Sequence, residues 1–328
     1  MRVPEDRGMS VCSLLSAHGI PAHGPLPPEP SLAAVAYWYS PPIISLLVLA
    51  GLALWFVAVR RVRTRHPGNP VPRSRSVAIL GAAAFVLVAL QSVVERYDTT
   101  LFSVHMVQHL ILLFPVPILV LRAAPVTLIL RLASPRWRAR VLALLHSRVV
   151  GVITHPIVTW LLLAFVMWAT HLSPLFDAAL DDPLLHHLEH TLYLASALLF
   201  WAPVFSLDPV RHRLSRPAAL FYLITQMPQN SFLGVAIMWA PGVLYPHYAS
   251  LPRTWGPTPL EDQQLAGAIM WLVGDALFLL AVFVVLAAWM RAEERPASRY
   301  NADQLARELA EIRRREAVLA ERQKGERA

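Results

Sequence analysis

The sequence predicts an all-α membrane protein, a bundle of seven transmembrane helices. Of its 328 residues, 56% are hydrophobic and only 15% are charged, whereas roughly a quarter of the residues of a soluble domain are charged. Several apolar runs reach the length that a bilayer's hydrocarbon core requires, about 20 residues. Arginines flank these runs in blocks. Together these observations exclude an ordinary soluble enzyme and a disordered chain.

Cysteine content and charge exclude two further classes. The single cysteine, Cys12, cannot form an intramolecular disulfide, so a disulfide-built secreted scaffold is excluded. The formal net charge is +8. Because the arginines lie beside the apolar runs, we interpret them as determinants of topology and expect no nucleic-acid partner. The lipid bilayer is the first expected partner.

Seven runs have the length of a membrane span. They contain about 18–27 residues each, enough to cross about 30 Å of hydrocarbon at 1.5 Å per residue. In chain order the predicted spans are Pro42–Val59, Val77–Val94, Val104–Leu121, Val149–Thr170, Leu184–Val204, Pro217–Ala240 and Gln264–Met290. Pro115 in the third span and Pro228 in the sixth predict that these two helices are broken or kinked.

The loops predict the orientation. The loops after the first, third and fifth spans contain fifteen arginines, and the alternate loops contain only Arg96 and Arg253. Positively charged loops remain in the cytoplasm. The sequence therefore predicts an external amino terminus and a cytoplasmic carboxyl terminus.

Two tails flank the predicted transmembrane domain, which covers residues 41–290. Residues 1–40 are rich in proline and glycine and predict an irregular outer tail. Residues 291–328 alternate glutamate and arginine with leucine and alanine at helical spacing, which predicts a cytoplasmic helix in water or on the membrane surface.

Histidines gather at the predicted outer ends of the spans. His105 and His109 begin the third span, and His186 and His190 begin the fifth. A spacing of four places both members of a pair on one helix face, about 6 Å apart, where they can share a metal ion. A single histidine at headgroup level is ordinarily interfacial, but six on three helix ends favour a site. The candidate metal ligands are His105, His109, His171, His186, His187 and His190.

Two methionines extend this candidate site. Met106 follows His105, and Met270 lies in the seventh span near its outer end. Imidazole combined with thioether suits copper, and Cu(I) in particular, better than a hard cation. The sequence therefore predicts a copper site near the outer surface.

Two ionisable residues lie inside predicted spans. Asp275 is near the middle of the seventh span, and His155 lies in the fourth span directly before Pro156. Such residues are rare in membranes and mark partners of protons or metals. Gln226, Gln229 and Asn230 cluster around Pro228 in the sixth span, and interhelical hydrogen bonding is the alternative for this group.

Several motifs resemble those of one family. The first is the run Phe102-Ser103-Val104-His105-Met106-Val107-Gln108-His109-Leu110, and further elements follow it in order. They are His155-Pro156, His186-His187-Leu188-Glu189-His190, Trp201-Ala202-Pro203, and Glu261-Asp262-Gln263-Gln264-Leu265-Ala266-Gly267 leading to Met270-Trp271. In combination they resemble the CtaG-type cytochrome c oxidase assembly factors, which are multi-span bacterial membrane proteins. The resemblance covers roughly residues 40–290 and includes the polar positions Gln108, Asp262 and Gln263.

The resemblance implies a non-enzymatic role in the maturation of a haem–copper oxidase. It implies copper binding and delivery at the outer face of a bacterial plasma membrane, which the chain crosses several times. The implied partners are subunits of cytochrome c oxidase, and an extracytoplasmic copper chaperone is a candidate source of the metal.

Two alternatives remain open at the level of sequence. One is a haem-binding electron carrier, in which His109 and His190 on facing helices would supply bis-histidine ligation. The other is a copper or proton transporter whose path passes Asp275 and His155.

Overall fold

The computed structural model describes residues 26–31 and 42–325, and within these ranges the chain is helical without any β-strand. The predicted outer tail, residues 1–40, lies almost entirely outside the described residues. The chain divides into two units, Met1–Phe278 and Leu279–Ala328. The second unit is described as far as Gly325 and belongs to one helix, which continues without interruption through residue 291, where the tail was predicted to begin.

Short and long helices alternate along the described chain. In order they are α1 Ile43–Arg65, α2 Arg73–Gln91, α3 Val93–Tyr97, α4 Phe102–Leu113, α5 Pro115–Ala123, α6 Pro125–Leu132, α7 Pro135–Leu145, α8 Arg148–Ile153, α9 Pro156–His171, α10 Leu175–Asp181, α11 Pro183–Phe205, α12 Arg216–Met238, α13 Pro246–Ser250, α14 Pro259–Ala268 and α15 Gly274–Gly325. A π-helix, Ile269–Val273, joins α14 to α15.

Five helical stretches in the described residues are long and apolar enough to cross a membrane. The number rises to six if α9 and α10, which meet at a bend of 68°, form one span. The helix at the predicted sixth span, α12, has 23 residues but is not among them, because its run of glutamine and asparagine lowers the mean hydropathy. The chain is a membrane protein, while the count of seven spans and the orientation of the termini stay predictions.

Exposed apolar side chains fit a lipid environment. On α1, Leu46, Leu47 and Leu54 are each more than half exposed, and an apolar face of this kind would be costly in water. Hydrocarbon chains are the surroundings in which such side chains are stable.

Proline interrupts the helix in the third and fourth predicted spans but not in the sixth. The third predicted span is broken at Phe114, and Pro115 begins α5. The fourth was predicted as one helix from Val149, which is wrong: α8 ends at Ile153 and a new helix begins at Pro156. Proline fits the first turn of a helix, where its missing N–H is not needed. By contrast α12 continues through Pro228 without a break.

Helix α4 occupies the centre of the packing in the first unit. Nine of its twelve residues are buried, and it contacts α2, α11, α14 and the π-helix. Its amino terminus is held by Asp262 of α14, whose carboxylate accepts hydrogen bonds from the Phe102 backbone N–H at 2.7 Å and the Ser103 hydroxyl at 2.5 Å. This contact fixes the position of α4, the helix that carries His105 and His109.

Two glycines allow α12 and α14 to approach closely. A Cβ atom on Gly234 would lie 2.9 Å from the carbonyl oxygen of Gly267, and a Cβ atom on Gly267 would lie 2.6 Å from that of Gly234. Real Cβ atoms do not tolerate such distances, so only glycine permits this crossing. The crossing places the π-helix beside α12.

Candidate metal site

Five histidines from three helices form one buried cluster. Helix α4 contributes His105 and His109, α11 contributes His186 and His190, and His171 ends α9. All five side chains are at least nine-tenths buried. The structure thus brings together five of the six histidines that the sequence nominates as ligands.

The ring distances show how the two pairs meet. Within the pairs, the ring centroids lie 4.2 Å apart for His105 and His109 and 4.3 Å apart for His186 and His190. Between the helices, His105 lies 5.5 Å from His186, and His109 lies 5.8 Å from His190. His171 is 6.1 Å from His109 on the other side. Spacing of four within each helix, together with packing of α4 against α11, produces this cluster.

Three imidazoles of the cluster lack the hydrogen bonds that buried polar atoms normally make. Both ring nitrogens of His105, His109 and His190 are buried and have no hydrogen-bond partner among the described residues. Each such orphaned group costs about 1–3 kcal/mol, and native proteins rarely tolerate many of them. A metal ion would bind the lone-pair nitrogen of a neutral imidazole, so the residues present fit a metal.

Two buried carboxylates lie beside the histidines. One ligand atom from each of Asp98, His105 and His186 lies within 4.8 Å of the other two, and the same is true of His105, His109 and Glu189. The Oδ2 atom of Asp98 lies 3.6 Å from Nε2 of His186, and both oxygens of Glu189 lack a hydrogen-bond partner among the described residues. These are two overlapping three-residue groups that could each hold one ion.

Neither carboxylate was predicted as a ligand from the sequence. Glu189 had a usable signal, since it lies three residues after His186 and therefore on the same helix face. Asp98 had no such signal. It lies in the turn before α4, and the sequence does not show which way a turn side chain points. Tyr193, four residues after Glu189, continues the same face and lies 4.3 Å from His109 between ring centroids.

Burial changes the acidity of the Asp98 carboxyl group, which lies between two spans. Its pKa is raised well above the usual range, first by burial and next by the nearby Glu95 carboxylate. A cation bound beside Asp98 would act in the opposite direction and favour the charged carboxylate. The acidic group is therefore placed where a positive ion would stabilise it.

Met106 and Met270 lie beside the cluster, next to His109 and His171. Both are buried, with 2% and 4% of their surface exposed, and both line a small cavity together with His109 and His171. A third methionine, Met167 of α9, lines the same cavity. Met167, which is one turn before His171, was not predicted as a ligand from the sequence.

His187 does not enter the cluster. Its side chain is exposed, and its ring centroid lies 6.4 Å from that of His186. Adjacent helical residues point about 100° apart, so His187 cannot share the face of His186 and His190. The proposed ligand set therefore does not include it.

The other polar candidates make structural hydrogen bonds. Gln108 donates to the Ala89 carbonyl at 2.8 Å and to Glu95 at 2.7 Å. Gln263 donates to backbone carbonyls of Ile237 and Gly242 and accepts from the Leu244 N–H. Asp262 holds the start of α4.

Asp275 and His155 lie apart from the histidine cluster. Asp275 accepts hydrogen bonds from Asn230 at 3.0 Å and Ser231 at 2.5 Å, both on α12. Asp275 therefore takes part in interhelical hydrogen bonds, and Asn230 makes the interhelical bond that was the alternative for its polar group. His155 caps α9 by accepting from the Ile157 N–H, and its ring lies 5.2 Å from that of His212.

The haem alternative gains no support from this geometry. The cavity beside His109 has a volume of about 10 Å³, whereas sites for large ligands measure roughly 300–1,000 Å³. The imidazoles of His109 and His190 are already neighbours. A porphyrin could enter between them only if α4 and α11 moved apart.

The fold and the site define a helical membrane protein with a buried histidine–carboxylate centre. The family model described as cytochrome c oxidase caa3 assembly factor matches residues 53–292. The chain belongs to this family, which confirms the resemblance inferred from the sequence motifs.

Similar proteins occur in mycobacteria. An uncharacterized protein of Mycobacterium bovis is 30% identical over 317 aligned residues, which cover 88% of this chain and 47% of the relative. An uncharacterized protein of Mycobacterium leprae is 29% identical over 277 residues, covering 77% of this chain and 42% of the relative. The chain thus spans less than half the length of these curated relatives. No solved structure matches it.

Proposed function

We propose that this protein binds copper at its buried histidine–carboxylate centre and delivers it to a haem–copper cytochrome c oxidase during assembly. The observation that carries the proposal is the convergence of unpartnered imidazoles. Six ring nitrogens of His105, His109 and His190 are buried without a hydrogen-bond partner among the described residues, and two carboxylates lie beside them. The proposed ligand set is His105, His109, His186 and His190 with Asp98 and Glu189.

The ligand chemistry supports copper over other ions. Imidazole suits copper, zinc, iron and nickel, whereas calcium and magnesium prefer sites made only of oxygen. For a given set of nitrogen and oxygen ligands, copper(II) binds most tightly among the first-row divalent ions. Membership of an oxidase assembly family then favours copper over zinc, since the client contains copper.

Delivery requires a site that opens toward a partner. The arginine distribution supports an external position for the ends of α4 and α11 that carry the histidines. At that surface the partners would be oxidase subunits, with an extracytoplasmic copper chaperone as the source. The protein would act as a non-enzymatic carrier in a bacterial plasma membrane.

The test is metal binding by purified protein. The detergent-purified full chain should bind copper stoichiometrically, and its optical spectrum should lack a haem Soret band. His109→Ala and His190→Ala should each weaken copper binding by more than the roughly 10–100-fold typical of changes around a metal site. Oxidase assembled in cells with these variants should lack active copper.

His66→Ala and His212→Ala are the matched controls, because both histidines lie outside the cluster. They should leave copper binding and oxidase activity unchanged. Normal copper binding and full oxidase activity in the folded His109→Ala and His190→Ala proteins would refute the proposal. A Soret band in the wild-type protein would favour the haem carrier instead.

A further inference from the structure

The small cavity beside His109 and His171 is lined by several methionines. Three methionines reach it from three different elements: Met106 from α4, Met167 from α9 and Met270 from the π-helix. His109 and His171 line it as well. Its volume of about 10 Å³ is close to the space that one water molecule requires. A single ion bound directly to its ligands fits this space.

His171 is oriented as a metal ligand would be. Its Nδ1 atom lies 2.8 Å from the backbone carbonyl oxygen of Met167. Because a carbonyl only accepts, the proton belongs to Nδ1, and Nε2 carries the lone pair. That Nε2 atom is buried and has no hydrogen-bond partner among the described residues. A histidine that donates one ring N–H to a backbone carbonyl and keeps the other nitrogen free is typical of metal sites.

The surrounding hydroxyls are compatible with this tautomer. The Tyr193 hydroxyl lies 3.0 Å from Nδ1 of His171 but only 2.5 Å from the Thr170 hydroxyl. Tyr193 can therefore donate to Thr170, which in turn donates to the Val166 carbonyl at 2.9 Å. No hydroxyl needs to donate to His171.

The π-helix places Met270. A π-helix is rare and is often found at functional sites, and here a side chain bonds the Met270 carbonyl. Asn230 donates to that carbonyl at 2.8 Å. Asn230 approaches so closely that a Cβ atom on Gly274 would lie 2.7 Å from its Nδ2 atom. Met270 is thus held at the cavity by contacts made through its backbone.

His109 belongs to both parts of the centre. One of its ring nitrogens can join His105 and Glu189, and the ring also lines the methionine cavity. The two nitrogens of an imidazole lie on different edges of the ring, and in His109 both lack a partner among the described residues. His109 can therefore act as a ligand on either side of its ring, through one nitrogen at a time.

We propose that this cavity is a separate Cu(I) site, with ligands from Met106, Met167, Met270, His109 and His171. The inference rests on the proposed function and adds to it a second site, which takes the reduced ion. Thioether sulfur is a soft ligand that selects Cu(I) and binds Zn(II) and Co(II) poorly, whereas the histidine–carboxylate cluster suits divalent ions. The two sites therefore differ in the oxidation state that they accept.

The experiment compares two metals on two sets of variants of the full chain in detergent. Cu(I) affinity is measured under reducing conditions by competition with a chromophoric Cu(I) chelator. Co(II) binding is followed by its visible spectrum and reports on the histidine–carboxylate cluster. Met167→Leu/Met270→Leu removes two thioethers with little change of volume, and Glu189→Gln removes a carboxylate from the cluster.

The double methionine variant should lose at least tenfold in Cu(I) affinity and keep its Co(II) binding, which also shows that it is folded. Glu189→Gln should weaken Co(II) binding and keep Cu(I) affinity. Met227→Leu is the matched control, since Met227 is a half-buried methionine of α12 that does not line the cavity. This variant should change neither Cu(I) affinity nor Co(II) binding. X-ray absorption of the Cu(I)-loaded wild type should show copper–sulfur scattering.

Cu(I) bound with only nitrogen and oxygen neighbours, or unchanged Cu(I) affinity in the double methionine variant, would overturn the separate Cu(I) site. If Co(II) binding persists in that case, the proposed copper-binding function still stands. A wild-type protein that binds neither Co(II) nor Cu(I) would overturn both.

Discussion

The imidazole rings of His105 and His186 stack with their centroids 5.5 Å apart, although they belong to different helices. At this distance no apolar layer separates the two rings, so α4 and α11 meet through their polar faces. In an apolar core these positions would be occupied by leucine or phenylalanine. In His105 both ring nitrogens lack a hydrogen-bond partner among the described residues, so an ion bound to this ring would make the contact more favourable.

Copper should therefore stabilise the folded protein. An ion that binds only the native state at a hundred times its Kd contributes about 2.7 kcal/mol, enough to raise the unfolding temperature by several degrees. The measurement is thermal unfolding in detergent with and without copper. His109→Ala should lose this increase and His66→Ala should keep it. An equal increase in all three proteins would place the bound copper elsewhere.

Asp262 should influence metal binding without touching the metal. Its carboxylate accepts the Phe102 N–H and the Ser103 hydroxyl at the start of α4, so Asp262→Ala leaves buried donors unsatisfied at about 1–3 kcal/mol each. We expect a lower unfolding temperature and weaker copper binding, measured on the purified variant.

Glu261→Ala is the control for Asp262. Glu261 is the neighbouring acid, and it forms a capping box with Thr258, the residue that caps the start of α14. It should leave copper affinity unchanged. The same loss of copper affinity in both variants would mean that Asp262 acts through α14 in general and not through the start of α4.

The glycine crossing of α12 and α14 should be intolerant of a single methyl group. Gly267→Ala would bring its Cβ atom within 2.6 Å of the Gly234 carbonyl oxygen. Overpacking of this kind typically costs about 1–3 kcal/mol, and it should also displace the π-helix that carries Met270. Gly51→Ala on α1 meets nothing within 4 Å and should be neutral or slightly stabilising. Thermal unfolding of the two variants distinguishes them, and equal stability would contradict the close approach.

The orientation of the chain can be tested with reporters. A reporter that is active only in the cytoplasm should be active when fused after Ala328 and silent when inserted near Asp181. The physical reason is the distribution of fifteen arginines against two in the alternating loops. The reverse pattern would move the histidine cluster to the cytoplasmic side and remove it from an external source of copper.

The carboxyl-terminal tail should be dispensable for the site. None of the proposed ligands lies beyond Met270, and the family match ends at residue 292. Truncation after Pro296 should therefore leave copper affinity unchanged. Reduced affinity at normal protein levels would give the tail a role in the site.

Helical periodicity made the two histidine pairs of the site predictable. Residues three or four apart lie on one face of a helix whatever surrounds it, so the pairing of His105 with His109 and of His186 with His190 followed from spacing alone. The same rule includes Glu189 and excludes His187, which points about 100° away from its neighbour. Helical spacing alone therefore favours a ligand set with Glu189 in place of His187.

The sequence by itself determined the class of protein, the helical secondary structure, the family and the two histidine pairs. These depend on local composition and on periodicity within one helix. Only the tertiary structure decided that the pairs face each other, that Asp98 and Met167 join them, and that His155 and Asp275 do not. The physical reason is that these relationships depend on the rotation of each helix about its axis and on its neighbours. Those are set by packing across the whole chain, such as the Gly234–Gly267 crossing, and leave no periodic signal in any single segment.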